Sequence, residues 1–328
     1  MIFSNDMRRV AENVGSVYDE WRRVARAVPD INGWLAWKKV GDREYLYRRL
    51  DRTGRGKSLG PRSPETEAMH RDYTERMAER KESAERLRAL ESRLGELVRQ
   101  ARAVRLPIVD GMPGSILRQM DLRGLFEENL MVVGTTAFAA YEMEAQARFA
   151  SGLDATEDLD VTWRGAKVAL GVGDAMHPSL IDALKAVDQT FTVNTERDFQ
   201  ARNQAGYEVD FLMAPSVAGH PPRGPLRPLV SEAQECLLRG TPVRQVVCDR
   251  YNHAALMVAP DPRWMVLHKG WLARSSNRKR LKVDKDEQQA RALGRAVLDH
   301  MPHYPVDDAF RSDVGRELKP YLDEYLTS

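Results

Sequence analysis

Thr156-Glu157-Asp158-Leu159-Asp160-Val161 is the stretch that decides the fold. Apolar residues at 159 and 161 alternate with aspartates at 158 and 160, the period-two pattern of a strand with one apolar and one polar face. Both carboxylates then project from the same face of a sheet. Two like charges so close repel, and a half-buried pair of this kind needs a cation to be tolerable. Mg²⁺ is the natural partner, because it takes oxygen ligands and keeps positions open for phosphate oxygens.

Working outward, Gly206-Tyr207-Glu208-Val209-Asp210-Phe211 repeats the pattern further along the chain. Asp210 sits on a second strand, with Val209 and Phe211 turned to the opposite face. If the two strands pair, three carboxylates meet at one end of a sheet. Two metal ions clamping the attacking and leaving oxygens of a phosphoryl transfer need that geometry. Upstream, Val133-Gly134-Thr135-Thr136-Ala137 reads as a strand turning sharply at Gly into a helix. Backbone N–H groups and hydroxyls at such a turn form an anion site. Each piece alone is ordinary, since a single Asp-x-Asp is more often a solvated strand or turn. Their order and their apolar flanks carry the reading.

Together the three segments resemble the nucleotidyltransferase superfamily of DNA polymerase β. More closely, Val133 through Glu142, Ala155 through Asp160 and Asn203 through Asp210 resemble a bacterial branch related to the AbiEii toxin type. The resemblance implies a polymerase-β-like α/β core, mixed α+β, with a short mixed sheet, a helical C-terminal part and a helical N-terminal extension. It implies that Asp158, Asp160 and Asp210 hold metal, with two Mg²⁺ ions, and that Gly134, Thr135 and Thr136 surround the phosphates of an NTP. It extends to His268-Lys269 through Arg274 and to Lys285-Asp286 through Gln289, where Lys269 and Arg274 would bind the triphosphate and Asp286 would orient or activate the acceptor. One departure from the family pattern is the longer gap between Gly134 and Asp158. It requires an extended helix or an inserted loop over 141–154, where Arg148 could line the site.

The rest of the chain sorts by periodicity. Residues 7–27 read as a helix, 34–50 as a β-hairpin, and 51–62 as a Gly-, Arg- and Pro-rich loop. Ser63-Pro64 starts a long helix to about Val104, with Leu87, Leu90, Leu94, Leu97, Ala101 and Val104 in a heptad-like stripe. That stripe packs on its own domain or forms a homodimer or partner interface over 64–104. Pro107 and Gly111-Met112-Pro113-Gly114 read as a boundary. Strands follow at 130–133, 159–162, 190–194, 207–213, 243–248 and 254–258. Helices are expected at 135–150, 178–188, 262–274, 284–300 and 307–325. The implied domains are 1–110, a catalytic core 111–225, and a mostly helical 226–328 that completes the site.

Hydrophobic residues make up 42% of the 328 residues, enough for a real core. Net charge is only +2, yet residues 32–62 carry nine basic and three acidic side chains. Trp34, Trp37, Tyr45 and Tyr47 lie among those cations, which suits stacking on bases beside phosphate contacts and makes 34–57 a candidate surface for an RNA acceptor. Asp51 through Ser58 ends like a P-loop but lacks its first glycine and its following helix, so an ATPase is excluded. Two cysteines, Cys236 and Cys248, exclude a disulfide framework. No apolar run reaches membrane-spanning length and the start has no signal-peptide pattern, so the expected location is cytoplasmic. The function expected is transfer of a nucleoside monophosphate from an NTP to RNA such as tRNA, to a protein or to a small molecule, in a toxin-like setting. The alternative is a non-catalytic nucleic-acid- or partner-binding protein on the same scaffold.

Overall fold

A computed structural model describes residues 1–328 except 50–55, 128–129, 150–157, 166–178, 223, 277, 279 and 328. The loop expected at 51–55, the insertion over 150–154, the approach through Thr156 and Glu157, and Lys279 lie outside the described residues. In chain order the elements begin with α1 (Asn5–Ala27), β1 (Trp34–Val40), β2 (Arg43–Arg49), β3 (Gly56–Pro61), α2 (Pro64–Ala103) and β4 (Ile108–Val109). There follow α3 (Gly111–Leu122), β5 (Leu130–Val133), α4 (Phe138–Glu144), β6 (Asp158–Trp163), α5 (Leu180–Val187), β7 (Thr192–Val193), β8 (Gln200–Arg202) and β9 (Glu208–Met213). The chain ends with β10 (Leu229–Val230), β11 (Val243–Asp249), β12 (Ala254–Ala259), α6 (Pro262–Ala273), α7 (Arg280–His300), α8 (Asp308–Asp313) and α9 (Lys319–Tyr325). The protein is thus a mixture of α and β, and no described helix is long and apolar enough to cross a membrane.

The described residues form two compact units, Asp19–Arg93 and Met1–Tyr18 with Leu94–Ser328. Helices α1 and α2 each contribute residues to both units. In the smaller unit, β1, β2 and β3 form an antiparallel meander. The expected hairpin is present, but Gly56–Pro61 adds a third strand where a loop was expected. Its Gly-Lys-Ser-Leu-Gly-Pro sequence has no strand periodicity, and the backbone of β2 supplies the pairing across a register shift at Leu46/Tyr47.

The larger unit holds a mixed sheet in the order β5-β6-β9-β8-β7, with β10 beside β9. Strand β6 runs antiparallel to β5 and parallel to β9. Leu159, Val161, Val209, Phe211 and Met213 fill the core on one face. A second sheet, β12-β11-β4, joins residues near 108 to residues near 248. The stretch expected as a boundary is therefore structural: Gly111–Leu122 is helix α3, packed on β12 and α5. A Cβ at Gly111 would collide with the Tyr251 ring, and one at Gly114 with Asp249. These glycines permit close packing, and Pro113 is tolerated in a first helical turn that has no N–H partners to lose.

The stripe on α2 divides. Leu94, Leu97 and Ala101 are buried within this chain, with Val98, whereas Leu87 and Leu90 are half-buried. The C-terminal half of the stripe is therefore core and cannot serve a second chain. At the other end, the expected helix over 307–325 is broken into α8 and α9, and α7 starts at Arg280 rather than 284. Asp261 caps α6 as anticipated, accepting from the Arg263 N–H at 3.0 Å.

Candidate active site

Strand register builds the acidic wall. Asp160 is the direct neighbour of Asp210, and Asp158 that of Glu208, so these carboxylates share one face of the sheet. Burial pushes the Asp160 carboxyl up to about 7, with Asp158 and Asp210 adding to the rise and Lys269 and Lys282 opposing it. Asp210 is raised too, by burial first and then by Asp158 and Glu208, against the hydrogen bond from Gln200. Gln200, opposite Asp210 on β8, donates to Asp210 Oδ1 at 2.8 Å and to Glu208 Oε2 at 3.2 Å. The Asn194 amide holds the Gln200 carbonyl at 2.9 Å, so the donor is oriented rather than free to flip. Sequence reading missed Gln200, since three-residue β8 carries no periodic signal.

Val133 lies opposite Asp160, and the chain leaves β5 through Gly134 at φ +70°. A Cβ at Gly134 would meet Asp160 Oδ2, so only glycine allows both the turn and the carboxylate. The turn differs from the expected helix N-terminus. Helix α4 starts only at Phe138, spans seven residues and has no side-chain cap. Hydroxyls and turn backbone, rather than a helix dipole, face the site. Gln289 of α7 donates to Thr135 Oγ1 at 3.3 Å. Buried Thr136 Oγ1 has no hydrogen-bond partner among the described residues.

The basic wall comes from α6 and α7. Lys269 Nζ lies 2.8 Å from Asp286 Oδ1, with both side chains 3% exposed. Arg278 closes on Asp286 Oδ2 at 2.6 Å through Nη2 and 2.7 Å through Nε. Both Asp286 oxygens are thus engaged, which fits a group that positions two cations. Burial lowers the Lys269 pKa while Asp286 pulls it back up. Lys285 is lowered as well, by burial and then by Lys269. Buried His268 is depressed to about 3, by burial first and then by Lys269, and stays neutral. Arg274 does not join this wall. It pairs with Glu324 and lies 5.3 Å from the Tyr321 ring centroid. Arg278, four residues on, lines the pocket in its stead. Arg148 likewise turns to Glu142 at 3.1 Å and to the Arg105 carbonyl at 3.0 Å.

The two walls border one cavity of about 850 Å³, lined by the Gly134 turn, the three aspartates, Lys269, Arg278, Lys282 and Lys285. That volume and charge arrangement suit a polyphosphate ligand bearing a base. Among the described residues no three His, Cys, Asp or Glu side chains are drawn together as a ready chelate. The donor set nevertheless fits a hard divalent cation: oxygen-only ligands in register, with one carboxyl pushed to about 7 by burial and by its neighbouring carboxylates.

An acidic strand edge facing basic helices across one cavity defines a site for phosphate chemistry. Residues 112–315, well over half of the chain, match a family described as nucleotidyltransferase, and the chain belongs to that family. It is a nucleotidyltransferase enzyme, and the alternative of a non-catalytic scaffold protein gives way. No curated protein and no solved structure is significantly similar to it.

Proposed function

We propose that this chain moves a nucleoside monophosphate from an NTP to an acceptor hydroxyl and releases pyrophosphate, with RNA as the acceptor class. The observation that carries this reading is the placement of Asp158, Asp160 and Asp210 opposite Lys269, Arg278, Lys282 and Lys285 around one cavity. Bound between Asp158, Asp160 and Asp210, divalent metal supplies the charge that lets the carboxylates ionise and the phosphates approach. Lys269 and Arg278, steadied by Asp286, hold the β- and γ-phosphates, and Lys282 and Lys285 extend that grip. The Thr135 and Thr136 hydroxyls and the Gly134 turn receive the phosphate chain from the other side. The acceptor oxygen forms a bond to the α-phosphorus as the bond to pyrophosphate breaks. The acceptor proton leaves to a carboxylate oxygen of Asp210. The resemblance to the polymerase-β superfamily and its AbiEii-related branch supports these roles for the three aspartates, the Gly134 turn and Lys269.

The test incubates the protein with Mg²⁺, each α-labelled NTP in turn, and total RNA and protein, with Asp158→Asn alongside. Label entering an RNA band only with the wild type supports the proposal and reads out the base used. Label entering protein would replace the acceptor. Equal transfer by a well-folded Asp158→Asn variant would overturn the site assignment.

A further inference from the structure

The family match begins at residue 112 and leaves the unit Asp19–Arg93 without a role. Register sorts the side chains of its three-stranded sheet. Trp37 lies opposite Leu46, and Leu46 opposite Gly60, so these share one face. Leu46 is fully buried there. The Trp37 ring sits 5.7 Å from the His70 ring of α2 and 5.1 Å from the Arg62 guanidinium. That face is closed by its own chain.

The opposite face carries Trp34, Tyr45 and Tyr47, all half-buried, with exposed Lys38 and Arg43 and half-buried Arg49 interleaved. Among the described residues the three aromatics make no hydrogen bond or ring contact except one, the Lys38 ammonium 5.6 Å from the Tyr47 centroid. Ala36, opposite Tyr47, is too small to cover that ring. No acidic side chain of the described strands shares the face. Glu44 projects to the other side, where it meets Arg62 at 2.6 Å. The face is thus aromatic and cationic without a compensating acid, a surface complementary to a polyanion that carries flat bases.

We propose that this face binds single-stranded RNA, with bases stacked on Trp34, Tyr45 and Tyr47 and phosphates neutralised by Lys38, Arg43 and Arg49. Duplexes are disfavoured, because their bases are already stacked and a flat sheet cannot enter the narrow groove of A-form RNA. Unpaired loops and ends, with bases splayed out, are the parts of RNA that such platforms read. An apolar protein partner is disfavoured by three cations on the surface that have no acidic partner among the described residues. The inference rests on the RNA-acceptor reading only for its place in catalysis, and binding is measurable without transfer.

The experiment is fluorescence anisotropy of the full-length protein with a labelled 12-nucleotide single-stranded RNA, its duplex and the DNA of the same sequence. The combined Tyr45→Ser and Tyr47→Ser variant, which removes two stacking rings, weakens single-stranded RNA binding about 30-fold or more. Lys38→Gln, an exposed change that leaves the rings in place, reduces the salt slope of log K by about 0.7. Unchanged affinity in the folded tyrosine variant, an unchanged salt slope in Lys38→Gln, or tighter binding of duplex or DNA would overturn the proposal. Wild-type protein that binds RNA but transfers nothing would instead overturn the proposed function and leave this surface standing.

Discussion

On the strand side of the cavity, Asp158, Asp160 and Asp210 stand side by side, and burial with mutual repulsion lifts Asp160 to about 7. On the helix side, Lys269 and Arg278 close on the two oxygens of Asp286, at 2.8 and 2.6 Å. Both walls bury charge. On the helix wall Asp286 offsets part of the positive charge, whereas the strand wall leaves its negative charge for a ligand to balance. A buried pair with both partners present is close to neutral for stability, but a buried charge lacking its partner is costly. The difference teaches where chemistry is invested: the imbalance sits where metal and phosphate would arrive.

The sharpest way to break the comparison is Asp286→Asn, which leaves buried Lys269 and half-buried Arg278 without their anion. A loss of about 3–5 kcal/mol in denaturant unfolding is expected, and an unchanged midpoint would show the helix wall is not built on that pair. Asp160→Asn should act in the opposite direction. Its carboxyl is raised from 3.8 to about 7 in the fold. The folded state therefore binds the proton more tightly, and the penalty is absent below about pH 4 and complete above about 7. In metal-free buffer at pH 8 the variant should gain roughly 4 kcal/mol, while stabilisation by added Mg²⁺ disappears. A loss of stability instead would remove the repulsion argument.

His268 tests the helix side by pH. Its folded pKa, about 3, lies below the unfolded 6.5, so its contribution is intact above 6.5 and falls away as acid charges the unfolded chain. Wild type should lose about 2 kcal/mol more than His268→Gln between pH 7 and pH 5, and parallel pH profiles would contradict this. Gly134→Ala should cost about 1–2 kcal/mol through its positive φ and lower kcat by pushing on Asp160. Normal turnover in that variant would detach the turn from the site. Smallest, Gln200→Met removes the amide that holds Asp210, and kcat should fall about tenfold with KM little changed. A rise in KM alone would place Gln200 in substrate binding.

Much of the strand wall was legible in the chain. Asp158, Asp160 and Asp210 lie on β6 and β9, and the Gly134 turn leaves β5, as the apolar alternation predicts. Lys269 and Asp286 also reach the cavity, and there Asp286 accepts from both Lys269 and Arg278, a pairing the linear motif did not express. Arg274 was misplaced because a helix C-terminus can aim an arginine to either side, and Glu324 with Tyr321 draws it outward. Gly111 through Gly114 looked like a breaker, since glycine and proline weaken isolated helices, yet close packing against Tyr251 and Asp249 uses their small size.

By itself the sequence determined what repeats along the chain: which residues face a core, where a strand must turn through glycine, and which acids share a sheet face. Those properties follow from backbone period and sterics, which act over a few residues. Only the tertiary structure decided which strand stands beside β6, that Gln200 grips Asp210, that Gln289 reaches Thr135, and that Asp286 holds Lys269 and Arg278 together. These contacts join residues distant in the chain, and their geometry exists only after loops close and burial makes each unpaired charge costly.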